Sequence, residues 1–400
     1  MAGWQVKALG EVCNIIGGGT PSKANKNFFN GDIYWATVRD MRKDVITTTQ
    51  FKITEEAVKN SSTNIIKAGN VVIATRVGLG KVCLINQDTA INQDLRGIVP
   101  IDSSILLVRY LFWWLKSIAH LIEGEGTGAT VKGVKLPFVK SLQIPLPPLT
   151  EQERIVAILD KASAGISLAV GNAEKNLANA RELFESYLNN VFTQKGEGWE
   201  EKLLSSVCIV ERGSSPRPIK SFLTDDPNGV NWVKIGDTKG IVKFISSTKQ
   251  KITKEGAERS RAVYPGDFIL TNSMSYGRPY IMSTSGYIHD GWFVLRLAEN
   301  IDTDFFYYLL SSRVVQDQFG SLAAGAIVKN ISGDLVKKTL LPIPPVSEQR
   351  RLVEAIEKLS SETQHLKNIY EQKLTSLNEL KQSILQQAFS GKLTSAVDER

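Results

Sequence analysis

The sequence predicts an α+β protein: two similar mixed α/β domains separated by two long antiparallel coiled-coil helices, with pseudo-twofold symmetry. Three observations predict this fold. Most segments of the first half recur in the second half, the first part of each half carries short β-rich runs, and the last part carries a helical stripe.

The length and composition indicate a soluble globular protein of two or more domains. The chain has 400 residues, of which 42% are hydrophobic and 22% charged. It contains no run of 18 apolar residues and no signal-peptide core at its start, so we expect a cytoplasmic protein. Three cysteines without CxxC spacing argue against a disulfide framework or a structural zinc site. A net charge of +7 is compatible with a polyanionic partner, although the basic residues are dispersed.

The internal repeat runs through almost the whole chain. Residues 4–21 (WQVKALGEVCNIIGGGTP) align with residues 199–216 (WEEKLLSSVCIVERGSSP). Likewise "KAGNVVIAT" (67–75) aligns with "YPGDFILTN" (264–272), and "PLPPLTEQERIVAILD" (145–160) with "PIPPVSEQRRLVEAIE" (342–357). The offset stays between 195 and 199 residues, which indicates duplication of one unit.

The first 145 or so residues of each half predict a mixed α/β domain. Short β-rich runs such as "NVVIAT" and "DFILT" alternate with turns rich in Gly and Asn. One helix is predicted late in each domain, over residues 106–120 and 304–319. We expect the large aromatic residues of these helices in the core, namely Trp113, Trp114, Phe305 and Phe306.

The last part of each half predicts a long helix. Three prolines precede Thr150, which is predicted to cap the helix with Glu153 three residues later. From Ile155, apolar or small residues recur in alternating steps of four and three, and the same stripe begins at Leu352 in the second half. Three polar residues interrupt the stripes: Asn176, Thr363 and Lys373. The stripe predicts a two-stranded coiled coil, although a helix buried in a bundle would show a similar pattern.

The direction of the two helices follows from the linker between them. A helix of 42 residues is about 63 Å long, whereas a domain of this size is only about 35–40 Å across. Because only residues 193–198 join the first helix to the second domain, an antiparallel pair is favoured. The tail, "SGKLTSAVDER", should then dock on the first domain. The predicted boundaries are 1–147 and 195–344 for the domains, 148–194 and 345–391 for the helices, and 392–400 for the tail.

The sequence lacks the motifs of an enzyme that acts alone. "GLGK" (78–81) does not have the spacing of a phosphate-binding loop, and "GGGT" (17–20) is interpreted as a turn. There is no nucleophile elbow, zinc-protease motif or methyl-transfer motif. A non-catalytic protein with no cofactor of its own is therefore expected.

On these motifs, the sequence resembles the DNA-specificity subunits of type I restriction-modification systems. The resemblance rests on the repeated proline and Glu-Gln helix starts, the starts "WQVKALGEV" and "WEEKLLSSV", and "AFSGKL" (388–393), and it covers essentially the whole chain. It implies two target recognition domains that each read one half of a split double-stranded DNA site, with the helices setting the gap. It also implies a prokaryotic, nucleoid-associated location and two kinds of partner: two methyltransferase subunits and the restriction/translocase subunits. S-adenosylmethionine would bind to the methyltransferase, and ATP and Mg²⁺ to the translocase.

DNA-contacting residues are expected in the loops between the paired segments, where Arg, Lys, Asn and other polar side chains can reach bases or phosphates. The candidates in the first half are Ser22, Lys23, Lys26, Arg39, Arg42, Arg76, Lys81 and Lys132. Those in the second half are Arg212, Arg217, Lys220, Lys234, Asn272, Tyr276, Arg278 and Lys329. Lys132 and Lys329 occupy equivalent positions, which suits a phosphate contact. For any single residue, a solvated surface charge is an equally good interpretation.

Three alternatives stay open at this point. A protein-binding scaffold with the same helices would bind no DNA, and an independent enzyme would show turnover without partners. The specificity subunit of a type IIB-like or methyltransferase-only system would share the sequence features, because the distinction lies in the partner subunits.

Overall fold

The computed structural model describes residues 3–126, 133–272, 277–323 and 332–395. The chain divides into two compact units. The first unit comprises Met1–Glu174 and Gln372–Arg400, and the second comprises Lys175–Glu371. Each unit therefore holds one α/β domain together with parts of both long helices.

The domain of the first unit contains two sheets and a two-stranded ribbon. The larger sheet has the strand order Cys13–Gly17, Leu95–Pro100, Val71–Ala74, Val82–Ile85 and Val45–Ile46, antiparallel except for the last pair. The smaller sheet has the order Phe51–Ile53, Ile33–Ala36, Thr89–Ile91 and Asn64–Ile66. The ribbon joins Gln5–Ala8 to Gln143–Leu146. The β-rich runs of the sequence thus form central strands, and Val71–Ala74 and Val82–Ile85 are wholly buried.

Short helices connect these strands in the first unit. The α-helices are Leu9–Val12, Glu55–Lys59, Val108–Ser117, Ala119–Gly124 and Leu136–Ser141, and the 3₁₀ helices are Lys26–Phe29 and Val38–Asp40. The predicted helix over 106–120 is therefore two helices. Its aromatic residues Trp113 and Trp114 are buried in the core, as predicted.

The second unit repeats this architecture. Its larger sheet has the order Cys208–Arg212, Trp292–Leu297, Phe268–Thr271, Pro279–Met282 and Phe244–Ile245. Its other sheet has the order Leu223–Thr224, Gln250–Ile252, Val230–Val233, Gly286–Ile288 and Arg261–Val263. The ribbon pairs Glu200–Leu203 with Leu340–Ile343. The equivalent order of the strands confirms that the repeat of the sequence is a repeat of the fold.

The helices of the second unit also follow those of the first. They are Leu204–Val207, Lys254–Glu258, Thr303–Ser311, Arg313–Ala323 and Gly333–Lys337, with 3₁₀ helices Ile219–Ser221 and Ile235–Thr238. The predicted helix over 304–319 again divides in two. Phe305 and Phe306 are fully buried, as predicted.

The two long helices span Leu149–Thr193 and Val346–Phe389 and are called here the first and second long helix. In the first unit, Ile155 and Leu159 near the start of the first long helix share a core with Leu385 and Ala388 near the end of the second. In the second unit, the end of the first long helix contributes Leu188 and Phe192 to a core, and the start of the second contributes Val353 and Ile356. Within each unit the helices therefore run antiparallel, as predicted.

The predicted stripe holds at most of its positions, which are buried or half-buried, but five positions in the middle of the helices are exposed. Asn176, Leu183, Leu366, Lys373 and Leu380 are exposed, and Leu183 is 51% exposed. The less exposed positions lie one residue later, for example at Leu177 and Phe184. The less exposed residues of the first long helix, Ala173, Leu177, Ala180, Phe184 and Tyr187, are again spaced in steps of four and three, so the repeat of 3.5 is kept and only alternate positions shift by one residue.

The predicted cap of the first long helix is also wrong. The helix begins at Leu149, and the Pro148 carbonyl accepts hydrogen bonds from the backbone N–H groups of Glu151 and Gln152 (2.9 and 3.0 Å). Thr150 therefore lies inside the first turn and cannot cap it. The same arrangement recurs in the second long helix, where Pro345 is the acceptor.

The tail contacts the first unit's domain. A short helix, Lys392–Ser395, follows the second long helix, and Leu393 packs against the domain core. The Thr394 hydroxyl donates to the Glu151 carboxylate. The predicted docking of the tail is thus confirmed up to residue 395, and residues 396–400 lie outside the described part of the chain.

The first long helix is long and apolar enough, by length and composition alone, to cross a membrane, but a single helix of this kind is weak evidence for a span. Within the described ranges, no group of three or more His, Cys, Asp or Glu side chains could hold a metal ion. Cys13, Cys83 and Cys208 are buried free thiols, and burial raises the pKa of Cys83 to about 11.

Candidate nucleic-acid interface

The first unit contains a cavity of about 620 Å³ at the edge of its smaller sheet, here called the first cavity. Trp35, on strand Ile33–Ala36, forms its apolar wall and is only 5% exposed, and its indole N–H donates to the Gly19 carbonyl (3.2 Å). The rings of Phe29 and Phe51 pack against Trp35 with centroid distances of 5.9 and 6.4 Å. This aromatic cluster fixes the shape of the cavity.

Polar side chains also line the first cavity. The Asn92 amide donates to the Asp94 carboxylate (3.0 Å), and Arg76 forms an ion pair with Asp94 (3.6 Å). The Thr20 hydroxyl donates to the Gln93 side chain. Lys23 and Arg39 also line this cavity, and neither has a carboxylate partner within the described part of the chain. The cavity is therefore lined by an aromatic cluster together with amides and cations.

A smaller, basic cavity of about 380 Å³ adjoins the first cavity through Arg39 and is here called the basic cavity. It is lined by Arg39, Asp40, Arg42, Lys43, Val45, Thr47, Thr48, Thr49 and Gln50. The two oxygens of Asp40 accept hydrogen bonds from the backbone N–H groups of Thr37 and Gln50, each at 2.8 Å. Because the Asp40 carboxylate is already hydrogen-bonded to the backbone, Arg39, Arg42 and Lys43 can interact with an external anion.

The second unit has a cavity of about 1010 Å³ in the equivalent place, here called the second cavity. Trp232, on strand Val230–Val233, corresponds to Trp35 and is again buried. The sequence alignment places His289 opposite Asn92, and Asp290 opposite Gln93. Three cations line the second cavity: Arg217, Lys220 and Lys234.

The second cavity presents a neutral imidazole and an ionised carboxylate. Burial lowers the pKa of His289, and its Nδ1 accepts a hydrogen bond from the Gly291 N–H (2.9 Å). The neutral ring therefore carries its proton on Nε2, as a donor. The Ser215 hydroxyl donates to Asp290 (2.7 Å) and holds the pKa of this carboxyl below its ordinary value. Arg217 lies 3.7 Å from the same carboxylate.

The two units differ in the residues that rim equivalent cavities. Thr37 in the first unit corresponds to Lys234 in the second, and Arg39 corresponds to Gly236. The aspartate of this turn is retained, since Asp40 and Asp237 both accept from the backbone of the residue three positions earlier. The scaffold is thus repeated, whereas the functional groups it presents are different.

The structure brings together some of the candidates from the sequence and not others. Those that line the three cavities are Lys23, Arg39, Arg42, Arg217, Lys220 and Lys234. Those that line none of these cavities are Ser22, Lys26, Arg76, Lys81, Arg212, Asn272 and Arg278. Lys132, Tyr276 and Lys329 lie outside the described residues.

Several of the candidates outside the cavities are engaged within the protein. Arg212 donates to the Asp290 carbonyl (3.2 Å), and Arg278 lies over the Tyr280 ring, 5.4 Å from its centroid. Asn272 is only 1% exposed and donates to the Asp290 carbonyl (3.3 Å), so it would have to move to reach a base.

Sequence reasoning missed the residues that shape the cavities, above all Trp35, Trp232, Lys43 and His289. One signal was available: "IYWATVRDM" (33–41) and "VNWVKIGDT" (230–238) retain the same tryptophan although most other positions differ. A large aromatic residue retained beside variable loops indicates a common wall under two different binding surfaces.

Comparison with known proteins adds a family to this geometry. The family model described as type I restriction modification DNA specificity domain matches residues 1–175 and 196–375. The type I restriction enzyme EcoR124I/EcoR124II specificity subunit of Escherichia coli is 33% identical over 194 residues, 47% of this chain and 48% of that protein. The MjaIX specificity subunit of Methanocaldococcus jannaschii is 29% identical and matches 53% of each chain. The chain thus spans about half the length of these two relatives.

A further relative and two solved structures match along nearly the whole chain. The MjaVIII specificity subunit of Methanocaldococcus jannaschii is 22% identical, covering 98% of this chain and 93% of that protein. The HsdS subunit of Thermoanaerobacter tengcongensis has a TM-score of 0.62 at 20% identity, with 98% of each chain covered. A chain from a structural study of a type I R-M system has a TM-score of 0.80 at 20% identity, covering 98% and 99%. At these identities the two structures show the fold alone.

Proposed function

Because the chain belongs to the family of type I restriction modification DNA specificity domains, we propose that it reads a bipartite double-stranded DNA target. Each domain binds one half-site, and the long helices set the length of the unread gap between them. The single observation that carries the proposal is the pair of cavities, which lie at equivalent positions of a repeated scaffold and present different functional groups.

The first and basic cavities suit the two kinds of DNA contact. Amide groups such as those of Asn92 and Gln93, and the guanidinium of Arg39, can hydrogen-bond base edges in the major groove. In the basic cavity, Arg42 and Lys43 lie beside three threonines, and cations and hydroxyls of this kind hold phosphates. Arg39 lines both cavities, so a base contact and a phosphate contact would come from adjoining sites.

In the second cavity, the proposed readers are the His289 Nε2–H donor and the cations Arg217, Lys220 and Lys234. Because these groups differ from those of the first unit, we expect the two half-sites to differ in sequence. The other candidates from the sequence, including Lys132, Tyr276 and Lys329, keep their proposed roles as contacts at the periphery of the two half-sites.

The proposed partners are two methyltransferase subunits and the restriction/translocase subunits. Exposed leucines such as Leu168 and Leu380 in the first unit, and Leu183 and Leu366 in the second, offer apolar contacts on the long helices. We propose that the chain itself is non-catalytic and binds no cofactor. S-adenosylmethionine would belong to the methyltransferase and ATP with Mg²⁺ to the translocase, in the cytoplasm of a prokaryotic cell.

Neutralising the basic cavity should weaken DNA binding and its salt dependence together. Each phosphate contact adds about 0.9 to the slope of log K against log salt, so Arg39→Gln, Arg42→Gln and Lys43→Gln combined should lower the slope by about 2–3. At about 0.1 M salt the affinity should fall by about 100-fold or more. The measurement is fluorescence anisotropy with the target duplex over a salt series.

The matched control is Lys67→Gln, which removes a charge already paired with Asp88 at 2.7 Å. It should change the slope by much less than one contact. An unchanged slope in the triple variant would remove the phosphate role of the basic cavity. Salt-independent association with protein partners, without any DNA binding by the unaltered chain, would favour the scaffold alternative.

A further inference from the structure

A buried glutamine occupies the same position at the start of each long helix. Gln152 is 0% exposed and Gln349 is 1% exposed. Burying a primary amide is unfavourable unless its donors and its acceptor are all satisfied. The hydrogen-bond partners of these two side chains therefore show which segments they connect.

In the first unit, Gln152 joins the long helix to the domain. Its Oε1 accepts from the backbone N–H of Leu107 (3.0 Å), and its Nε2 donates to the carbonyls of Ile105 (2.8 Å) and Pro147 (3.0 Å). Leu107 directly precedes the domain helix Val108–Ser117. One side chain thus fixes the start of the domain helix, the proline segment and the first turn of the long helix against each other.

In the second unit, Gln349 makes the same three contacts. Its Oε1 accepts from the Asp302 N–H (2.8 Å), and its Nε2 donates to the carbonyls of Asn300 (3.4 Å) and Pro344 (3.0 Å). Asp302 is the N-cap of the domain helix Thr303–Ser311. The contacted positions are displaced by 195 to 197 residues, which is the offset of the repeat itself.

Some side-chain contacts near this junction differ between the two units. In the first unit, Asp160 accepts from the Trp113 indole N–H (2.7 Å) and forms an ion pair with Arg109. The position equivalent to Arg109 is Asp304, which pairs with Lys243 instead. The glutamine junction has therefore been retained while its surroundings changed.

We propose that Gln152 and Gln349 are positioning residues that fix the angle at which each recognition domain leaves its long helix. This inference rests on the proposed function, because the helices can set a defined gap only if the domains are held rigidly on them. Both glutamines are buried, so we expect them to affect which gap length the protein accepts and not which base sequences it reads.

The test uses the full chain assembled with its methyltransferase subunits and duplexes that carry the target with its gap shortened or lengthened by one base pair. Four variants are compared: Gln152→Met and Gln349→Met, which remove all three hydrogen bonds, and Gln152→Glu and Gln349→Glu, which keep the acceptor but face two carbonyls with an oxygen. The control is Gln372→Met, an exposed position in the middle of the second long helix. The readout is the ratio of the affinity at the altered gap to the affinity at the natural gap.

We expect this ratio to rise about tenfold in the four variants, while the preferred half-site sequences and the control stay unchanged. A ratio within about twofold of the unaltered chain would overturn the inference, whatever happens to total affinity, because the assay resolves far less than a tenfold change in K. Loss of folding in all four variants would also overturn it, since the glutamines would then serve stability alone. If the unaltered chain shows no preference for gap or half-site, the proposed function fails instead.

Discussion

Replacing residues 1–147 with the corresponding domain of another specificity subunit should change one half of the DNA target and leave the other half intact. The first domain has its own sheets, core and cavities, and it supplies none of the residues that line the second cavity. Each mismatched base pair costs about 1–3 kcal/mol, so three changed base pairs should reduce modification of the original target by at least about 100-fold. The measurement is the mapping of methylated positions in cells that carry the chimera and its methyltransferase.

The reciprocal replacement, of residues 195–344, is the matched control. It should change the opposite half of the target while the first half is retained. A chimera in which both half-sites change, or neither does, would show that the two domains do not read DNA independently.

Shortening both long helices by one paired heptad should shorten the gap and leave both half-sites unchanged. Since Ile155 and Leu159 share a core with Ala388 and Leu385, residues 166–172 should lie opposite residues 372–378. Removing both segments shortens the pair by about 10 Å, which corresponds to about three base pairs. The change would be measured as the shift in the preferred gap among duplexes with identical half-sites.

The control deletes residues 166–172 alone. It should abolish binding to the bipartite target at every gap length, because the two helices would then be paired out of register. If the paired deletion bound best at the original gap, the helices would not be the element that sets the distance.

The repeated architecture and the direction of the helices could be predicted from the sequence because both follow from long-range constraints. The offset between "WQVKALGEV" and "WEEKLLSSV" does not depend on any single contact, and it is confirmed by equivalent strand orders. The antiparallel direction followed from the shortness of residues 193–198, and it is confirmed within each unit by the cores at the helix ends.

The errors lie where a local rule competes with a tertiary contact. The sequence around Thr150 matches a capping box, but Pro148 accepts the first helical hydrogen bonds and Gln152 fixes the turn to the domain. The predicted stripe placed Leu183 and Leu380 inside, whereas both are exposed and the following residues, Phe184 and Lys381, are half-buried. The pattern of the sequence alone does not show which residues contact a different helix or strand in the folded protein.

The candidate site could be predicted only in part for a similar reason. Charged loop residues such as Lys23, Arg39 and Arg217 are recognisable because their chemistry suits DNA. Trp35 and His289 were not recognised as site residues. Each lines a cavity whose walls come from segments far apart in the sequence, so its position in the site is visible only in the fold. The loops "SKANKNFFNGD" and "RPIKSFLTDDPNG" differ between the halves, which is the feature that suits two different half-sites.

The most direct test of the proposed function is the genome-wide map of methylated bases in cells that carry this chain with its methyltransferase subunits. We expect a single bipartite motif: two unlike half-sites separated by an unread gap of fixed length. A continuous motif, two half-sites modified independently at any spacing, or no modification that depends on this chain would contradict the proposed function.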